Sequence, residues 1–184
     1  MRIELREVSY PPIVKLNLKL EVPYIYLKPT GEGKSTFLKL IYGEILPEEG
    51  EVLVDGISTR NVRFANLRQA IGYSGEKDLF IEENTLDEHL ELLALLNRDV
   101  WEEAEKLMVK FGLSVRRNYM LCEISKRERE KFKLVVAILK GRRLILLDEP
   151  FLYLTTDEKV KLWHILAEKW DDGVLWVITQ NQYR

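Results

Sequence analysis

Tyr24-Ile25-Tyr26-Leu27-Lys28-Pro29-Thr30-Gly31-Glu32-Gly33-Lys34-Ser35-Thr36-Phe37-Leu38 is the stretch that decides the fold. Its aromatic and apolar start predicts a short buried strand ending at Leu27. Pro29, Thr30 and Gly31 predict a turn. A helix is expected over 34–42, with Phe37, Leu38 and Ile41 on one side. Strand, glycine-bearing turn and helix, in that order, frame a phosphate-binding loop. The glycines let backbone N–H groups close on phosphate oxygens, and the helix N-terminus adds its dipole. Lys34 is placed to reach β- and γ-phosphates, and the Ser35 hydroxyl to ligate Mg²⁺. The full pattern asks for glycine six residues before the lysine, where this chain has Lys28. Two consequences stay open: a strained turn, or added positive charge near the phosphates.

Upstream, Val14, Leu16, Leu18, Leu20 and Val22 alternate with polar residues, the period of a half-buried strand. Ile3, Leu5 and Val8 suggest a rougher strand before it. Downstream, Glu51 to Val54 reads as a strand closed by the Asp55-Gly56 turn pair. Thr85 with Glu88, Asp99 with Glu102 and Ser125 with Glu128 have the spacing of helix capping boxes. They predict helices from Leu86, from Val100 to Phe111, and up to Lys140, and residues 82–124 read as a helical insertion. Asp157 to Trp170 is predicted helical, with Val160, Trp163, Leu166 and Ala167 at helical spacing. Leu144 to Leu147 and Val174 to Thr179 read as buried strands. Buried strands alternating with helices predict an α/β fold with a parallel sheet covered on both faces.

The second decisive stretch is Leu144-Ile145-Leu146-Leu147-Asp148-Glu149-Pro150. An apolar strand here delivers adjacent carboxylates at its C-terminal end, where ligands sit in open α/β sheets. Asp148 suits Mg²⁺ or its waters, and Glu149 suits polarising an attacking water.

Composition narrows the function classes. The chain has 184 residues, 46% hydrophobic and 32% charged, enough apolar content for one folded domain. A net charge of −2 argues against a nucleic-acid binder. One cysteine, Cys122, fits a reducing compartment. Charges at Arg2, Glu4, Arg6 and Glu7 do not read as a secretory leader, and no apolar run approaches the ~20 residues of a membrane span.

Taken in order, the phosphate loop, Ile71-Gly72-Tyr73, the Ser125 helix start and Leu-Leu-Asp-Glu-Pro resemble the ATP-binding subunit of ABC transporters over nearly the whole chain. The resemblance implies a P-loop NTPase fold: a RecA-like core, an N-terminal antiparallel β subdomain and an inserted helical subdomain. It implies ATP and Mg²⁺ as ligands, with Thr30, Gly31, Glu32, Gly33, Lys34, Ser35 and Thr36 around the phosphates. Ser35 and Asp148 are the implied metal residues, and Glu149, Lys34 and Gln180 the implied catalytic ones. Tyr10 falls where the family stacks an aromatic on adenine, though a plain strand-edge tyrosine is an equal alternative. Partners implied are a transmembrane permease, docking around 82–124 near Leu79, Phe80, Tyr119 and Met120, and a second ATP-binding cassette. The implied location is cytoplasmic, at the inner face of the membrane through the permease.

Four elements depart from the family pattern. Glu76 stands for the usual glutamine, and Ile124-Ser125-Lys126-Arg127-Glu128 for Leu-Ser-Gly-Gly-Gln. Thr155 stands for an aspartate, and Gln180 for the switch histidine. The chain also ends soon after Gln180 and is expected to be minimal or truncated. Lys126 and Arg127 put bulk and charge where glycines allow close approach to a partner's γ-phosphate. Slow hydrolysis is therefore expected, and a heterodimer with a glycine-bearing partner is favoured over a homodimer. Alternatives are a soluble regulatory ATP-binding protein without a permease, or a small phosphate-transferring kinase.

Overall fold

A computed structural model describes residues 1–29, 31–75, 80–96 and 100–181. Strands β1 (Ile3–Tyr10), β2 (Ile13–Leu20) and β3 (Tyr24–Lys28) lead into helix α1 (Lys34–Tyr42). Next come β4 (Glu49–Val54), β5 (Ile57–Ser58), α2 (Phe64–Arg68) and β6 (Ile71–Ser74). Helices α3 (Leu86–Leu96), α4 (Val100–Lys110) and α5 (Lys126–Lys140) follow, then β7 (Leu144–Asp148), α6 (Thr156–Asp171) and β8 (Leu175–Asn181).

Two four-stranded sheets form, in the orders β2-β1-β4-β5 and β3-β8-β7-β6. The first is antiparallel and the second parallel. Helix α1 lies between them. Phe37, Leu38, Leu40 and Ile41 are all fully buried, and the helix lies against β4 of one sheet and β3, β7 and β8 of the other. A helix apolar on nearly every side is stable only in such an enclosed place.

Strand β7 shows why its sequence has no polar alternation. Leu144 and Leu146 enter the core under α1, while Ile145 and Leu147 enter a second core built with α3 to α6. Both faces are covered, so an unbroken apolar run is the stable composition. The sheet and α5 also meet very closely at Gly72, where a Cβ would run into the carbonyl of Ala137. At the other sheet, Asp55 and Gly56 both take positive φ, the two-residue turn that joins β4 to β5.

Several expectations need correction. Strand β3 is not fully buried, because it forms the outer edge of the parallel sheet. Tyr24 and Tyr26 pack inward, but Ile25 and Leu27 are 41% and 54% exposed on the other face. The parallel sheet is thus covered on both faces only at its centre. In β2 the inward set is Ile13, Leu16, Leu18 and Leu20, whereas Val14 and Val22 face solvent. Lys15 adopts a positive φ, and the pairing register with β1 slips between Val8 and Tyr10, which shifts the alternation there. The buried stripe of α6 is Leu162, Ile165 and Leu166; Val160, Trp163 and Ala167 are exposed. Strand β6 and helix α2 carry too few residues to announce themselves by periodicity. The Thr85–Glu88 and Ser125–Glu128 boxes form as expected. Asp99 lies outside the described residues.

Candidate functional site

The site is built at the carboxyl-terminal end of the parallel sheet. Strands β3, β8 and β7 run in the same direction, with Leu27 beside Gln180 and Thr179 beside Asp148. Their carboxyl ends therefore open onto one crevice, the usual ligand position in such sheets. Helix α1 begins just after Gly33, following β3 in the chain.

Gly33 is the N-cap of α1, with φ 85° and ψ 17°. A side chain there is excluded twice: by the left-handed conformation, and by Ile13 Cγ1 and Pro12 Cγ, which stand 3.0 and 3.2 Å from where a Cβ would lie. The tip of the β1–β2 hairpin thus rests on the loop. Tyr10, at the end of β1 beside this tip, is half-buried and packs partly on the core under α1. No side chain caps α1 and its first turn has no acid. Its leading amides are left for an anion.

Lys34 is 6% exposed, and its Nζ donates to the Pro29 carbonyl at 3.2 Å. The same ammonium lies 3.2 Å from Glu149 Oε1. Ser35 Oγ donates to Asp148 Oδ2 at 2.5 Å across 113 positions of sequence. Thr179 Oγ1 donates to Asp148 Oδ1 at 2.5 Å and is fully buried. Thr179 was not singled out from sequence. The available signal was a hydroxyl inside an apolar strand, but its pairing with Asp148 depends on sheet register.

Glu149 takes φ 45°, and its N–H donates to the Thr179 carbonyl at 2.9 Å. A left-handed glutamate costs on the order of 1 kcal/mol, and such backbone strain concentrates at functional sites. A cavity of about 10 Å³ beside it is lined by Ser74, Glu130, Leu134, Asp148, Glu149, Pro150 and Tyr153. Its size and polar walls suit one water molecule.

Lys28 settles one open question. It ends β3 without a positive φ, so its side chain strains no turn, and its Nζ stands 3.7 Å from Glu32 Oε2. Gly31, Glu32 and Thr36 complete the loop and first turn, with Gly31 and Glu32 exposed. Gln180 sits next to Thr179 on β8, and its Oε1 is buried with no hydrogen-bond partner among the described residues. Thr30 and Glu76, both expected at the site, lie outside the described residues, as does Leu79. Phe80 is packed against Phe132 and His89 rather than freely exposed, while Tyr119 and Met120 are 41% and 42% exposed.

The start of α5 differs from expectation. Lys126 and Arg127 turn back onto their own chain. Arg127 Nε donates to the Tyr153 carbonyl at 3.0 Å and Nη2 to Glu158 Oε2 at 3.2 Å. Lys126 Nζ lies 5.5 Å from the centre of the Tyr153 ring. Ser125 caps α5, and Glu128 closes the box and accepts from Arg116 Nε at 2.8 Å. Hydrogen bonds from the Ser125 hydroxyl and amide, reinforced by Arg116, hold the Glu128 carboxyl at about 2. Thr155 caps α6 in the same manner with Glu158.

A Mg²⁺ ion finds fitting donors in the Ser35 hydroxyl and Asp148 carboxylate, which are hard oxygens already side by side. No helix among the described residues is long and apolar enough to cross a membrane.

The family model described as ABC transporter matches residues 24–152, which contain the loop, the carboxylate pair and everything between them. The ABC transporter A family member 4 of Dictyostelium discoideum is 31% identical over 78% of this chain and 9% of its own length. A ribose import ATP-binding protein of Streptomyces avermitilis is 28% identical over 95% of this chain and 36% of its own. The chain thus spans well under half of each of these relatives. An ATP-binding cassette solved as a post-hydrolysis dimer with ADP and Pi superposes with a TM-score of 0.84. That match is 22% identical and covers 97% of this chain and 87% of the other. It establishes the P-loop NTPase cassette fold.

Proposed function

The chain belongs to the ABC transporter family, and on that premise we propose that it binds Mg-ATP and hydrolyses it slowly as an energy-coupling subunit of a membrane transporter. The observation that carries this reading is the meeting of Ser35 with Asp148 and of Lys34 with Glu149 at the carboxyl end of β7. These side chains come from opposite ends of the matched region, and a plain structural role explains neither the buried lysine nor the uncapped α1.

Lys34 and the free amides of α1 bind and orient the β- and γ-phosphates. Ser35 and Asp148 would hold Mg²⁺, which would supply neutralisation of phosphate charge. Thr179 fixes the Asp148 carboxylate so that it meets the ion without reorganising. Glu149 is the base that would polarise an attacking water and accept its proton. With a phosphate present, Lys34 exchanges part of its contact with Glu149 for the anion, which frees the carboxylate as base. Gln180 contributes a neutral amide donor to the γ-phosphate where a cation would stabilise charge better, one reason for slow turnover. Tyr10 offers its ring to the adenine beside the loop.

Residues 82–124 form the helical subdomain that docks a permease, using the exposed Tyr119 and Met120. The protein then sits at the cytoplasmic face through that permease. A second cassette with glycines at the start of its α5-equivalent completes the ATP site, giving a heterodimer. Calorimetry with Mg-ATP on the wild type and on Lys34→Ala tests the binding, and co-purification of the untagged native protein tests the partners. Equal affinity in the two proteins overturns the site; recovery of a symmetric dimer without a membrane partner overturns the assembly.

A further inference from the structure

The unexplained feature is the pair of cations at the first turn of α5. Although both side chains are exposed, each also contacts its own chain. Glu158, at 9% exposure, accepts from Lys131 at Oε1 and from both the Thr155 amide and Arg127 Nη2 at Oε2. Arg127 also holds the Tyr153 carbonyl, so one guanidinium spans the loop and the start of α6. Lys126 covers the Tyr153 ring. Tyr153 in turn lines the small cavity beside Glu149, and the Leu152 amide donates back to the Glu149 carbonyl at 3.1 Å.

We propose that Arg127 is a positioning residue: within its own chain it fixes the Glu149–Thr155 loop, and so the direction of the Glu149 carboxylate, instead of meeting a phosphate across a dimer. The physical argument is geometric. Glu149 is held in a strained left-handed conformation, which persists only where its surroundings over-determine it. The turn after Glu149 is tied to β8 on one side by the Thr179 carbonyl and to α5 on the other by Arg127. Planar guanidinium geometry lets two nitrogens engage two acceptors at once, which a lysine cannot reproduce. Engaged in this way, the side chain is withdrawn from a partner's γ-phosphate.

The kinetic part of the test rests on the proposed ATPase activity; the exchange part does not. Hydrogen exchange on the nucleotide-free protein reads the clamp directly. In Arg127→Ala, amides of residues 151–155 should exchange about tenfold faster or more, with those of the α5 core unchanged. Arg127→Lys should recover part of the protection through the Tyr153 carbonyl alone. In turnover, Arg127→Ala should lower kcat about tenfold with KM for ATP within about twofold, the pattern of a mispositioned base rather than a lost ligand. Arg127 is half-exposed, so the variants are expected to fold. Unchanged exchange over 151–155 overturns the proposal, as does a rise in kcat for Arg127→Gly, which would mean that bulk at a phosphate was the real constraint. Absence of ATP binding by the wild type defeats the functional reading alone, because the exchange result is decided without nucleotide.

Discussion

The starts of α1 and α5 are opposite treatments of a helix N-terminus. At α1 the cap is a left-handed glycine, no side chain accepts from the first turn, and no acid lies in it. At α5 Ser125 accepts from the Glu128 amide, Glu128 reaches back to the Ser125 amide and hydroxyl, and Arg116 neutralises the carboxylate. Both ends carry the same dipole and the same orphan amides. One leaves them without a side-chain partner; the other has closed part of its own demand. The difference teaches where this chain leaves a helix start free for a ligand, and where it makes internal structure out of a segment that resembles a ligand-binding one.

The largest expected effect lies on the open side. Glu149→Gln keeps the shape of the base and removes its charge, so ATP hydrolysis should fall by roughly 10²–10⁴ while nucleotide still binds. Single-turnover kinetics check it, and wild-type rates would move the base to another residue. Lys34→Ala should weaken Mg-ATP binding by roughly 10- to 100-fold through loss of a charged hydrogen bond, as read by calorimetry. A comparable loss in Ser125→Ala would erase the contrast between the two helices.

Acid sharpens the closed side. Burial alone would raise the Glu158 carboxyl, but the Lys131 ammonium and the Thr155 amide outweigh it and hold it at about 2, against 4.5 unperturbed. A lowered carboxyl contributes stability that is fully present above about pH 4.5 and lost as the pH falls toward 2. Unfolding free energy should therefore drop by about 3 kcal/mol across that window from this group, and Glu158→Gln should flatten the profile. Glu128 adds to the same slope, while α1 has no acid in its first turn and adds nothing. The smallest effect is Ser125→Ala, expected to cost about 1 kcal/mol in chemical denaturation as a lost cap. An equal cost at neutral pH with no change in ATP affinity confirms that Ser125 serves the helix.

The helix start after Gly33 and the strand that ends at Asp148 were legible because each is a local pattern. The same holds for the capping boxes at Thr85 and Ser125. The inner face of α6 was misread because Trp163 and Val160 have the right spacing on a helix whose orientation is set by Leu162 against its neighbours and by Glu158 against Lys131. Exposure of Ile25 and Leu27 was hidden for a similar reason: an edge strand and a central strand can share a composition.

By itself, then, the sequence determined the α/β class, the order of the longer elements, the helix start at Lys34 and the identity of the acids at the end of β7. Periodicity and turn chemistry act over a few residues, and those features need nothing more. Only the tertiary structure decided that Thr179 holds Asp148, that Lys28 is unstrained beside Glu32, and that Arg127 is bound to Tyr153 and Glu158. Each of these depends on strand register or on the approach of two helices. A side chain's partner is fixed by where distant segments come to rest, and the free energy that places them is summed over the whole core.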